Sequence, residues 1–133
     1  MKRNYRRTKT TVSMINYHFV FCPRYRRKIF RYPGVEERFK QFVPEMCDEL
    51  DIVILALECH EDHVHLFLNA PPKLSPADIM AKIKGVTSKK LREEFPSLHH
   101  LPSLWTRSYF VSTAGEVSNE TIKRYVEQQK TRG

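Results

Sequence analysis

No stretch of this chain approaches the ~18–20 consecutive apolar residues that a membrane-spanning helix needs, so no membrane is expected as a partner. The opening run, MKRNYRRTK, is basic, but no apolar signal core follows it, which points away from secretion and toward the cytoplasm. Cysteine is sparse and unpaired. Cys22, Cys47 and Cys59 form no CxxC pair, and an odd, scattered set reads as reduced thiols packed as small residues. The glycine patterns of a Walker P-loop or a Rossmann turn are missing, so no nucleotide cofactor is expected. Internal repeats and low-complexity linkers are missing too, and 133 residues then read as one domain, 1–133.

Acidic residues are the minority among the charged ones. Fifteen Asp and Glu face 23 Lys and Arg, for a net charge of +8 and a pI near 9.6. The basic residues cluster in Lys2, Arg3, Arg6, Arg7 and Lys9, in RYRRKIFR (24–31), and in KIKGVTSKKLR (82–92). A small basic domain implies a polyanionic partner, most often nucleic acid. With 41% hydrophobic residues the chain has enough apolar matter for a core, which argues against disorder.

The pattern alternates strand and helix. TVSMINYHFVFC (11–22) is rich in β-branched and aromatic residues and reads as a strand that Pro23 ends. After Gly34, the residues Val35, Phe39, Phe42, Val43 and Met46 recur at helical spacing, with Pro44 a possible kink. DIVILALEC (51–59) reads as a strand apolar on both faces. HVHLFLNA follows as its hairpin partner after a turn of His60, Glu61 and Asp62. Ser75 and Asp78 form a capping box for a helix bearing Ile79, Met80, Ile83, Val86 and Leu91, which Phe95-Pro96 stops. SYFVST is a short strand, Gly115 breaks the chain, and Ser118 or Asn119 caps a last helix, ETIKRYVEQQK. The order βαββαβ is that of a ferredoxin-like (RRM-like) α+β sandwich, with one helix added at the C-terminus.

The stretch ECHEDHVHLFLN carries the chemistry. On a strand, Val64, Leu66 and Leu68 share one face, and His63, His65 and Phe67 share the other. Two imidazoles side by side can hold one metal ion, but a firm site needs a third ligand. A lone His-x-His is common in strands and settles nothing by itself. His60, in the turn, reads as solvent-exposed, as do Glu61 and Asp62. In the last helix Tyr125 and Gln129 are four apart and so lie on one face, with Ile122 and Val126 beside them. A packed aromatic next to a surface amide would give the same pattern.

EDHVHLFL followed by IKRYVEQQ resembles the single-tyrosine transposases of small bacterial and archaeal insertion sequences. These belong to the HUH nuclease superfamily, named for His, a hydrophobic residue and His. The likeness extends through NYHFVFCPRYRRKIF, IMAKIKGVTSKKLREEFP and LWTRSYFVSTAGEVSNETIKRYVEQQ, nearly the whole chain. Many members have proline before Asp-His where this chain has Glu61.

The resemblance implies that His63, His65 and Gln129 are ligands of a divalent ion, Mg²⁺ or Mn²⁺, and that Tyr125 is the nucleophile. It implies an enzyme, a metal-dependent endonuclease and strand transferase. The substrate would be single-stranded DNA with hairpins at the element ends, joined to the protein through a 5′-phosphotyrosine. It also implies a homodimer, with the tyrosine helix (about 115–133) tethered to a core of about 10–114. Arg24, Arg26, Arg27, Lys28, Lys82, Lys84, Lys89 and Lys90 are candidate DNA-backbone contacts, and Tyr25 or Phe30 could stack on bases. The rival readings are a domesticated relative acting on repeated palindromes, a non-catalytic RRM-like binding module, and a zinc hydrolase using Glu61 with the two histidines.

Overall fold

The computed structural model of the protein describes residues 5–113 and 119–133. A two-stranded ribbon at the N-terminus pairs β1 (Arg6–Arg7) with β2 (Val12–Ser13). The main sheet contains β3 (Ile15–Phe21), β4 (Val53–His60), β5 (His63–Ala70) and β6 (Phe110–Ser112), in the order β4-β5-β3-β6 with every neighbour antiparallel. Helix α1 (Val35–Glu49) joins β3 to β4, α2 (Pro76–Glu94) precedes β6, and α3 (Asn119–Gln128) follows it. This is the ferredoxin-like arrangement the element order predicts, with the added helix at the end.

Helices α1 and α2 cover one face of the sheet. Val64, Leu66 and Leu68 of β5 and Phe19 and Phe21 of β3 are fully buried there. They pack with Phe39, Phe42 and Val43 of α1 and with Ile79, Met80 and Ile83 of α2. Each such side chain contributes roughly 1.5–3 kcal/mol by leaving water. Pro44 lies inside α1, and the helix runs on through it. At the start of α1, Gly34 takes a φ of 86°, and the Phe95 ring lies 3.3 Å from where its Cβ would be, so both backbone and space require glycine.

Three expectations are corrected. The run 11–22 is two strands, because the chain leaves the N-terminal ribbon at Ser13 and joins the main sheet at Ile15. The strand 51–59 is not buried on both faces. β4 is an edge strand with helices on one side only, so Val53 and Leu55 remain 53% and 56% exposed. The turn holds two residues, Glu61 and Asp62, since His60 closes β4 opposite His63. The segment TAGEVSN, read as a tether, falls mostly outside the described residues, as does the cap at Ser118.

β4 also carries a bulge between Ile54 and Ala56. Before it, Ile54 points to the core. After it, Leu57 and Cys59 do, and Ala56, Glu58 and His60 are turned to the opposite face. The extra residue thereby lets Ile54 and Leu57, three apart, share the core face, while the pairing with His63 sets His60 on the opposite one.

The capping box at α2 is formed in full: Asp78 N–H donates to Ser75 Oγ at 3.0 Å and Ser75 N–H to Asp78 Oδ2 at 3.2 Å. Ser75→Ala should lower unfolding free energy by about 1 kcal/mol, seen as a shifted urea midpoint at unchanged m-value.

Candidate metal centre and tyrosine helix

The face of the sheet away from α1 and α2 holds the polar residues. Directly opposed residues share a face. His60 therefore stands beside His63, Glu58 and Val20 flank His65, and His18 stands beside Phe67. Ring nitrogens of His60, His63 and His65 lie within 4.8 Å of one another. The His60 and His63 rings stack at 4.3 Å and 7°, and His65 meets both edge-on.

Each strand histidine has an outer partner. Asp62 Oδ1 lies 2.9 Å from His63 Nδ1, and Arg26 in turn donates through Nε (3.0 Å) and Nη2 (2.7 Å) to Asp62 Oδ2. Burial alone would raise the Asp62 carboxyl. The hydrogen bonds from His63 and Arg26 and the guanidinium charge outweigh it, and the group sits below its ordinary value. His65 Nδ1 lies 3.1 Å from His18 Nε2. His18 is 4% exposed and stacked on Phe67 at 3.9 Å and 12°. For His65 to offer the Nε2 lone pair, its Nδ1 must carry the proton and donate it to His18. Asp62 fixes His63 by the same logic.

Burial, then the charges of His63, His18 and His60, push His65 down to about 4. His63 and His18 are also lowered, chiefly by burial. The strand imidazoles are therefore neutral at neutral pH, the state in which they bind metal.

Helix α3 lies on this same face. Ile122, Tyr125 and Val126 pack on Val20, Cys22 and Phe110. A 3₁₀ turn (Gln129–Thr131) follows α3, so Gln129 sits just past the α-helix and not on it. Gln129 is 1% exposed. Ser108 joins it to the tyrosine: its hydroxyl donates to Gln129 Oε1 at 2.8 Å and lies 3.3 Å from the Tyr125 hydroxyl. With its one proton given to Gln129, Ser108 accepts from the phenol. Burial pushes the Tyr125 phenol up to about 12, and the Cys22 thiol adds to this against its hydrogen-bonding contacts with Ser108 and Thr106. A hinge of charge joins the two groups of residues, because Arg26 also donates to Glu127 of α3 at 3.1 Å. Arg26 and its neighbour Tyr25 both take left-handed backbone angles, φ 50° and 58°. Such strain persists only where surrounding contacts hold it.

The candidate DNA contacts fare unevenly. Arg26 is committed to Asp62 and Glu127, and Lys84 is half-buried with its ammonium on the Ser108 carbonyl at 3.1 Å, burial bringing it down to about 8 against the Cys22 thiol. Neither is a free surface cation. Lys82 and Lys89 are exposed on α2, and Lys90 lies over the Phe42 ring at 5.1 Å, all on the far side of the sheet from the imidazoles. Arg24 is spanned to the Trp105 carbonyl, while Arg27 and Lys28 are exposed. Phe30 packs on Phe39 and Trp105, so it is no stacking platform, whereas Tyr25 is 55% exposed. Glu61 pairs with Arg31 and Lys28, away from the ligand cluster, which leaves the zinc-hydrolase reading without its carboxylate. Sequence reasoning passed over His60, Ser108, His18 and Arg26's true partners. His60 was hidden because the turn was taken to include it, and the rest are long-range pairings with no local spacing signal.

A His–hydrophobic–His strand on a ferredoxin-like sheet, with a tyrosine helix laid on the same face, is the layout of an HUH-type protein. Residues 11–129 match the family described as transposase, IS200 like, and the chain belongs to that family. It is 34% identical over 116 residues to the transposase for insertion sequence element IS200 of Salmonella typhimurium (strain LT2), covering 85% of this chain and 75% of that one. It is 26% identical over 121 residues to the ISDra2 transposase TnpA of Deinococcus radiodurans, covering 89% and 86%. Among solved structures it is similar to a putative transposase from Deinococcus radiodurans R1, at TM-score 0.84 and 28% identity over 93% of this chain and 97% of that one. A REP-associated tyrosine transposase bound to a REP hairpin shares the fold at TM-score 0.57 and 14% identity, over 95% and 69%. The protein is thus a transposase that acts on DNA. Among the described residues no helix is long and apolar enough to cross a membrane.

One consequence concerns acid stability. His65 is depressed in the folded chain, so the unfolded chain takes up its proton first. Its contribution is intact above pH ~6.5 and is lost as pH falls toward about 4. In chelator-treated protein, His65→Gln should flatten this loss by at most ~1.4 kcal/mol per pH unit, measured by urea unfolding between pH 7 and pH 4.

Proposed function

We propose that the protein cuts and rejoins single-stranded DNA at hairpin-bearing element ends, with Tyr125 as nucleophile and His63, His65 and Gln129 as the ligands of a divalent ion, Mg²⁺ or Mn²⁺. The observation that carries this reading is that one sheet face holds the neutral His63–His65 pair and also seats the helix bearing Tyr125 and Gln129. It is supported by membership in the transposase family.

The residue chemistry is consistent with each role. In the cleavage step the Tyr125 oxygen bonds to phosphorus, the bond to the 3′ oxygen breaks, and the phenol proton and the 3′-hydroxyl proton balance. The product is a 5′-phosphotyrosine and a free 3′-OH, which can reverse the step on another end. No nucleotide is consumed, because the protein–DNA bond keeps the phosphodiester energy. A divalent ion, when bound, would neutralise charge building on a non-bridging phosphate oxygen. Asp62 and His18 hold the imidazoles in the tautomer that faces such an ion. Tyr125 at about 12 is a weak nucleophile in the described geometry, held by its proton to Ser108, so attack requires that this hydrogen bond be exchanged.

The exposed Arg27, Lys28 and Tyr25, with Arg24 beside them, are positioned at the end of β3 near the imidazoles, and suit the backbone and bases of an unpaired strand. The working unit is a homodimer acting in the cytoplasm, with the core of about 10–114 and the helix of about 115–133 as its parts. A domesticated relative acting on repeated palindromes would use the same residues, and the DNA flanking the gene separates the two.

Incubation with single-stranded DNA of the element's own end and Mg²⁺ should give a covalent adduct on a denaturing gel. Tyr125→Phe should abolish it, and an adduct of normal yield in that variant would sink the nucleophile assignment. His63→Ala should lose cleavage by at least ~100-fold while hairpin binding, followed by gel shift, stays within a few-fold.

A further inference from the structure

His60 has no role in the reading above, yet with His63 and His65 it brings three ring nitrogens within 4.8 Å of one another. The two-residue turn sets it opposite His63, and so on the imidazole face. His63 Nδ1 is engaged by Asp62 and His65 Nδ1 by His18, so the nitrogen each leaves open is Nε2. Gln129, by contrast, is buried with its amide oxygen accepting from Ser108.

We propose that, while α3 keeps the described arrangement and Gln129 is turned to Ser108, His60 stands as a third ligand beside His63 and His65, so that the site in this state also holds an imidazole-preferring dication of the Zn²⁺ class. The proposal deepens the metal reading above and rests on it. Three ring nitrogens and no carboxylate suit Zn²⁺ or Co²⁺, whereas Mg²⁺ favours oxygen ligands in an octahedron. Tetrahedral bonds of ~2.0–2.1 Å bring ligand nitrogens to about 3.4 Å, against the 4.8 Å span here. The closure falls to His60, which is exposed and stands at the end of an edge strand, while His63 and His65 are held by their outer partners. Binding exchanges the His60–His63 stack for coordination. It leaves Ser108 on Gln129 and on the Tyr125 phenol, so an ion bound in this way accompanies the described arrangement of α3 and does not require another.

The test is a Co²⁺ titration of the chelator-treated full chain without DNA, read by the visible bands of tetrahedral Co²⁺. Wild type should show these bands, lose them to Zn²⁺, and keep them in excess Mg²⁺. His60→Ala should weaken binding at least ~10-fold, as should His60→Asn, with far-UV circular dichroism confirming that both fold. Gln129→Ala should bind as wild type. Normal Co²⁺ binding by His60→Ala together with loss in His63→Ala and Gln129→Ala would overturn this proposal and leave the Gln129 ligand set standing. Undiminished binding by His63→Ala would overturn both.

Discussion

Everything at the site depends on the two-residue alternation of β5. Val64, Leu66 and Leu68 drive one face of this strand into the core with several kilocalories per mole, and the pleat then has no choice about His63, His65 and Phe67. Their buried neighbours in sequence fix where the imidazoles stand, and Asp62 and His18 then fix how the His63 and His65 rings are turned. The price of that placement is partial desolvation, which keeps His65 neutral far below its ordinary range. Hydrophobic packing on one side of the sheet thereby sets the protonation state on the other.

The tyrosine helix is attached to this platform by weaker means. α3 contributes a small apolar patch of Ile122, Tyr125 and Val126 and a charge contact from Glu127 to Arg26, and the 3₁₀ turn after it adds one buried amide, Gln129. The main core has more than twenty buried residues, and α3 supplies none of them. A helix seated this lightly can be lifted without unfolding the domain, which suits a nucleophile that must change its hydrogen-bond partner before it acts.

The fold was legible in the sequence to a large degree. Period-two and helical spacings, the Ser75–Asp78 box and the Phe95-Pro96 stop all mark elements that the structure contains. The reason is that these signals are local. Among site residues, His63 and His65 share a face by simple alternation, and Tyr125 and Gln129 meet at Ser108. What the sequence withheld is long-range or parity-dependent. Nothing near Ser108 announces that it bridges residues 17 and 21 positions later. Nothing near Lys84 shows that its ammonium is turned inward to a loop 24 residues away, so charge alone overstated the surface available to DNA.

The bulge at Leu55 is a change of parity between the two ends of β4. It lets Ile54 and Leu57, three apart in sequence, both face the core, while His60 keeps its place opposite His63; removing Leu55 would leave a regular strand with every later pairing unchanged. The two-residue turn imposes a stricter discipline on β5. Along this hairpin the chain is therefore free in identity but bound in number. A substitution such as glutamate at position 61 leaves the register alone, whereas an insertion or deletion that no bulge absorbs would reassign every side chain beyond it. Lineages of this protein should consequently drift by replacement in the hairpin and keep its length.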